Sequence, residues 1–177
     1  MIDLILARET EAFAAMAKRM GITPWYIPSR EAALFPAKAK FSIIDGQHPA
    51  LRSQIEQGIA AVINLETDPK PDGLHSRRSG LNQVLAALLH RKKGMMLFNH
   101  RLVRENVGQQ RALIIGRMQQ NVALCRKYKV PMAIVTMAKT PYELRSPHDL
   151  QSFGTLLKMT PAECKAAVRV LGSRTSG

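Results

Sequence analysis

Short apolar runs alternate with amphipathic stretches along this chain, and that alternation most limits what it can fold into. Residues 1–6 (MIDLIL), 24–28 (PWYIP), 41–46 (FSIIDG), 60–66 (AAVINLE), 95–100 (MMLFNH) and 131–138 (PMAIVTMA) read as strands. Between them, 9–21 sets Phe13, Met16 and Met20 at helical spacing and ends on Gly21. Residues 49–58 form a short helix stopped by Gly58. Residues 81–94 turn Leu81, Val84, Leu85, Leu88 and Leu89 inward, with Ser79 as the cap and Gly94 as the stop. The longest helix, 109–130, carries the stripe Ile114, Met118, Val122 and Cys125. Strands alternating with helices through short connections specify βαβ units and a parallel sheet. The 177 residues make one domain, 1–177. GxGxxG and P-loop patterns are absent, which leaves a small (β/α) barrel or an open α/β sheet. An eight-strand barrel takes ~250 residues, so a barrel here is compact or incomplete.

Charge divides the chain. Residues 1–76 hold 8 Lys+Arg and 9 Asp+Glu, whereas 77–177 hold 18 and 4. The change falls in 67–80 (TDPKPDGLHSRRSG), a loop without periodicity. A half this basic on a compact domain is the footprint of a polyanion partner, and nucleic acid fits best. No apolar run approaches the ~20 residues of a membrane span. The first residues lack a basic n-region, so they do not read as a secretory signal. Cys125 and Cys164 lie in helical patterns and suggest neither a disulfide framework nor a zinc site. A reducing, cytoplasmic setting follows.

The pattern [ST]-P-x-[ED] occurs three times between residues 139 and 164: Thr140 to Glu143, Ser146 to Asp149, Thr160 to Glu163. In each, Ser or Thr caps a helix, Pro takes its first position, and an acid reaches back to the cap amide. The spacing predicts helices over 141–145, 147–158 and 161–171. Three of the four acids of the basic half are thereby used as caps, which leaves its cations without counter-charges. Arg145 falls before the turn that Pro147 forces, on an exposed site.

The cationic clusters are Arg77-Arg78, Arg91-Lys92-Lys93, Arg101 with Arg104, and Arg126-Lys127-Tyr128-Lys129. Arg117 and Asn121 lie four apart on the long helix and share a face suited to phosphate and sugar contacts. Aromatic residues make up only 5%, so backbone and shape contacts outweigh base stacking. Asp45, His48 and His100 are the groups able to converge on a metal near strand ends, with Asp3, Glu66, Asp68 and His75 also nearby. H-x-H, H-E-x-x-H and G-x-S-x-G are all absent, and each lone histidine reads as a loop or surface residue.

The blocks SGLNQVLAALL (79–89), FN (98–99), RMQQNVALCRKYKVP (117–131) and AKTPYELRSPHDLQSFGTLLKMTPAE (138–163) resemble archaeal ribonuclease P protein component 3. That family is homologous to a subunit of eukaryotic ribonuclease P/MRP. Gln83 and Met137 depart from its usual residues, and the chain is shorter than usual members. The resemblance implies a TIM-barrel-like domain related to polymerase-and-histidinol-phosphatase-type barrels. It implies a subunit that assists a catalytic RNA in removing the 5′ leader from precursor tRNA. The partners would be ribonuclease P RNA, precursor tRNA, protein component 2 and other protein subunits. Magnesium would belong to the RNA, and this chain would bind no cofactor, hold no metal and supply no catalytic residue. The RNA- or partner-binding residues expected are Arg77, Arg78, Arg117, Asn121, Arg126, Lys127, Lys139 and Arg145. The alternatives are a stand-alone metal-dependent phosphoesterase on the same barrel and a general RNA-binding module.

Overall fold

The structure is a computed structural model and describes residues 1–5, 8–26, 41–73 and 77–175. His75 and the outer ends of the first two expected strands lie outside the described residues. β1 (Ile2–Ile5) pairs in parallel with β2 (Thr23–Tyr26), and α1 (Glu11–Arg19) connects them. β3 (Ile43–Asp45), β4 (Ala61–Ile63), β5 (Met95–Asn99) and β6 (Met132–Val135) form a second parallel sheet in chain order. α2 (Leu51–Glu56), α3 (Gln83–Arg91) and α5 (Gly108–Tyr128) lie between successive strands of that sheet. The sheets meet beyond β6: the Met137 N–H donates to the Leu4 carbonyl at 3.0 Å, and Ile5 bridges Ala138 in parallel. The strands therefore run β3-β4-β5-β6 and then β1-β2, all parallel, as the alternating pattern predicts for the pairing. Among the described residues this sheet does not close on itself.

Successive strand residues point to opposite faces, and both faces are apolar. Ile44, Val62, Met96, Phe98 and Ile134 pack under the helices with Leu85, Leu89, Met118 and Val122. Ile43, Ile63, Met95, Leu97 and Val135 pack on the other side with Leu4, Met137 and Leu171. Burial on both faces is what makes these strands read as continuous apolar runs. One glycine fixes the entry to α3: Gly80 has φ +76°, and a Cβ there would lie 2.3 Å from the Leu65 carbonyl oxygen.

The helix starts differ from one another. α6 (Pro147–Leu156) and α7 (Pro161–Ala167) each begin with a complete capping box, from Ser146 with Asp149 and Thr160 with Glu163. The first start gives only a 3-10 turn, Pro141–Glu143, and Thr140 makes no side-chain cap bond. Glu143 is drawn instead to the Lys139 N–H (2.7 Å) and to Arg104 (3.0 Å). The third expected helix stops at Ala167, and a separate helix, α8 (Val170–Thr175), follows. Asn82, not Ser79, caps α3, accepting from Leu85 N–H at 2.9 Å. Ser79 is buried and donates to the Leu81 carbonyl. The run 95–100 ends as a strand at Asn99, whose side chain caps a helix beginning at His100 (α4, His100–Glu105).

Candidate nucleic-acid interface

Side chains stitch the C-terminal ends of the strands together. Asn64, in left-handed backbone just after β4, donates to Asp45 at the end of β3 (2.7 Å). Asn99 at the end of β5 is buried and donates to Asn64 (2.8 Å), and its own oxygen accepts from the Arg101 N–H (3.0 Å). Asp3 of β1 is likewise buried and accepts from the Thr136 N–H (2.8 Å) and hydroxyl. Burial pushes Asp3 up to about 6, against those hydrogen bonds. Ligands of parallel α/β folds sit at this end of the sheet.

A cationic cluster lies at this end, between α4 and the segment after β6. Arg101 Nε is 3.5 Å from Glu105, and Lys139 Nζ is 3.5 Å from the other oxygen of the same carboxylate. Arg104 joins Glu105 (3.8 Å) to Glu143 (3.0 Å). Arg145 is half-buried and donates to the carbonyls of Leu144 (2.8 Å) and Tyr142 (3.1 Å). Burial pulls His100 down to about 4, helped by the charges of Arg145 and Arg104, so it is neutral at pH 7. Its ring stands edge-on to Phe153 at 5.1 Å. Four cations thus face three carboxylates, those of Glu105, Glu143 and Asp149.

The cluster is also unsatisfied. The Arg101 side chain is only 14% exposed, yet its Nε and Nη1 are buried without a hydrogen-bond partner, as is His100 Nδ1. Its approach to Glu105 is an ion pair without hydrogen-bond geometry. Two buried guanidinium N–H groups without a hydrogen-bond acceptor leave this cluster short of counter-charge.

No family model matches the chain. Ribonuclease P protein component 3 of Methanocaldococcus jannaschii is 30% identical over 80 residues, 45% of this chain and 34% of that protein. Component 3 of Thermococcus gammatolerans is 30% identical over 120 residues, and that of Thermococcus kodakarensis 27% over 139. The chain is similar to archaeal ribonuclease P protein component 3. In fold, it matches a chain of a cryo-EM structure of archaeal ribonuclease P with mature tRNA, with a TM-score of 0.72 and 20% identity. That match covers 99% of this chain and 80% of the other. The chain spans 34% to 60% of the length of the component 3 relatives named here.

Not every residue expected to touch RNA or a partner in this component 3-like chain lies at the surface. Arg117 and Asn121 do share a face of α5, but it is the inward one: they are 1% and 0% exposed. Arg117 donates to the carbonyls of Glu66 (3.0 Å), Asp68 (2.6 Å) and Lys70 (2.7 Å), and to the Asp72 carboxylate (2.9 Å). Asn121 donates to the Glu66 carboxyl (2.8 Å) and the Ser79 carbonyl (2.8 Å). Both tie residues 66–72 and Ser79 to α5 and offer nothing to a phosphate. Arg126 is engaged as well, with Nε and Nη2 on the two oxygens of Glu163 (2.8 and 2.7 Å). Glu163 therefore serves as cap and counter-charge at once, and the caps do not leave every cation bare. Arg77 is exposed but turns one nitrogen to the Gly116 carbonyl (2.7 Å). Arg78, Lys127 and Lys139 are exposed.

The potential metal site does not assemble. Asp45 is taken by Asn64 and the Gln47 N–H, His48 accepts from the Ala50 N–H, and His100 lies against Phe153. Among the described residues no group of three or more His, Cys, Asp or Glu is gathered around a point. The sequence reading groups Arg101 and Arg104 with the cations but does not single them out. Their signal is positional: they follow a buried strand within five residues, behind an Asn that caps the helix carrying them.

Proposed function

We propose that this chain is a component 3-type protein subunit of ribonuclease P. It assists a catalytic RNA in endonucleolytic removal of the 5′ leader from precursor tRNA. Beside it act a component 2-type protein and other subunits, in the cytoplasm. The cutting belongs to the RNA and its bound magnesium, and this chain supplies no catalytic residue and binds no cofactor. Its fold is an incomplete (β/α) barrel whose strand ends face the RNA. No helix among the described residues is long and apolar enough to cross a membrane.

The observation that carries this reading is the Arg101–Arg104–Lys139–Arg145 cluster at the strand ends of a component 3-like chain. Its cations outnumber its acids, and the Lys139 and Arg104 side chains keep 52% and 30% of their surface open to solvent. RNA phosphates supply counter-charge for such cations, and most protein–nucleic-acid hydrogen bonds go to backbone. The test is cleavage of precursor tRNA by the purified chain, first alone and then with the cognate RNA and a component 2-type partner. No product from the chain alone, and a rise in the RNA's rate on addition, are expected. Metal-dependent hydrolysis by the chain alone would replace this reading with a phosphoesterase.

A further inference from the structure

Helices that connect parallel strands run back against them, so their C-termini gather at the opposite end of the sheet. α3 ends at Arg91 and returns to β5 at Met95; α5 ends at Tyr128 and returns to β6 at Met132. These ends lie a strand's length, about 15 Å, from the Arg101 cluster. They are tied to each other, with His90 Nδ1 3.1 Å from the Lys129 carbonyl oxygen. Arg91, Lys92, Lys127 and Lys129 are exposed there, and among the described residues none of them forms an ion pair. Beside them a groove of about 590 Å³ runs between α2 and α3, with Val84, Arg91 and Tyr128 in its lining. Its one acid, Glu56, is held by Arg52 at 3.1 Å.

A cation at a helix C-terminus favours the helix dipole, and one per helix would serve that purpose. Two helices here converge with two exposed cations each and no counter-acid. We propose that this pole is a second RNA-backbone contact, so that the chain bridges two RNA segments, one at each end of its sheet. The inference rests on the reading of the chain as an RNA-binding subunit. Phosphates fit this pole better than a protein does. Lysine is depleted from protein–protein interfaces, and three of the four cations are lysines; Val84 alone exposes a large apolar side chain in the groove.

The test is hydroxyl-radical footprinting of the cognate RNA in complex with the full chain and its protein partner. Three forms are compared: wild type, the quadruple Arg91→Ala, Lys92→Ala, Lys127→Ala, Lys129→Ala, and Arg101→Ala. Wild type is expected to protect two separate backbone segments. The quadruple loses one and keeps the other, Arg101→Ala does the reverse, and the quadruple's log–log salt slope is shallower by about 3. Should the quadruple fail to fold, Lys127→Gln with Lys129→Gln tests the same segment. Two protections that both survive the substitutions at this pole overturn the inference, and so does a single protected segment in wild type. Loss of the protein partner with both footprints intact overturns it too, in favour of an acidic protein surface. No protection by wild type overturns the RNA-binding reading itself.

Discussion

The guanidinium of Arg117 lies 2.9 Å from the carboxylate of Asp72, 45 residues earlier, and is 1% exposed. The same side chain donates to three backbone carbonyls just ahead of Asp72, those of Glu66, Asp68 and Lys70. A loop that forms no regular ladder needs another partner for its carbonyls, and one arginine fork provides it.

Arg117→Ala is expected to be the most damaging of the basic-half substitutions for stability. It strands three carbonyls and a partly exposed acid, and each buried acceptor left unpaired costs about 1 to 3 kcal/mol. Arg117→Lys should recover only part, because an ammonium cannot reproduce the fork. Chemical denaturation measures both. A change below about 1 kcal/mol for Arg117→Ala would return this residue to the surface role its charge suggests.

Glu66 and Asp3 should make stability fall as pH rises from about 4 to 7, against His100, whose lowered value acts the other way between about 4 and 6.5. Burial pushes Glu66 up from 4.5 to about 7, against the Asn121 hydrogen bond and the Arg117 charge, and pushes Asp3 up from 3.8 to about 6. Through those windows the unfolded chain releases protons that the folded chain keeps, so folding weakens with rising pH. Glu66 Oε2 is buried without a partner, which agrees with a neutral carboxyl. Glu66→Gln removes this group's share, and its melting temperature should depend less on pH than that of wild type. Equal slopes for the two proteins would contradict the assignment.

The three helix starts should respond unequally. Ser146→Ala and Thr160→Ala each remove a cap bond and should cost about 1 kcal/mol. Thr140→Ala should cost close to nothing, since Thr140 makes no such bond. Denaturation midpoints decide it, and a Thr140 effect as large as the other two would show a cap that the geometry lacks.

Arg101→Ala should separate stability from binding. Its Nε and Nη1 lack hydrogen-bond partners and its ion pair with Glu105 is long at 3.5 Å, so truncation should leave the melting temperature nearly unchanged. Affinity for the cognate RNA should drop about tenfold, the loss of one charge-assisted contact of about 1.4 kcal/mol. A lowered melting temperature with unchanged affinity would make Arg101 a structural residue.

The alternation of strand and helix was legible because both faces of the sheet are buried, so each strand is an apolar run. The inward position of Arg117 was legible in part. Ile114, Met118, Val122 and Cys125 mark the buried stripe of α5, and residues 117 and 121 fall on that same stripe at three- and four-residue steps. Their polarity argued for the surface, but the loop they hold comes from some 50 residues away, beyond what helical periodicity can register. Thr140 misled for a related reason. Its motif is local and complete, yet Arg104 and the Lys139 N–H compete for Glu143. The Arg101 cluster joins two segments that only the β5–β6 pairing brings together.

The most direct test is the rate of precursor tRNA cleavage at limiting magnesium by the cognate RNA with a component 2-type partner. It is measured without this chain, with wild type and with Arg101→Ala. A marked increase with wild type, most of it lost with Arg101→Ala at unchanged melting temperature, is the predicted result. No increase with folded wild-type chain would contradict the account.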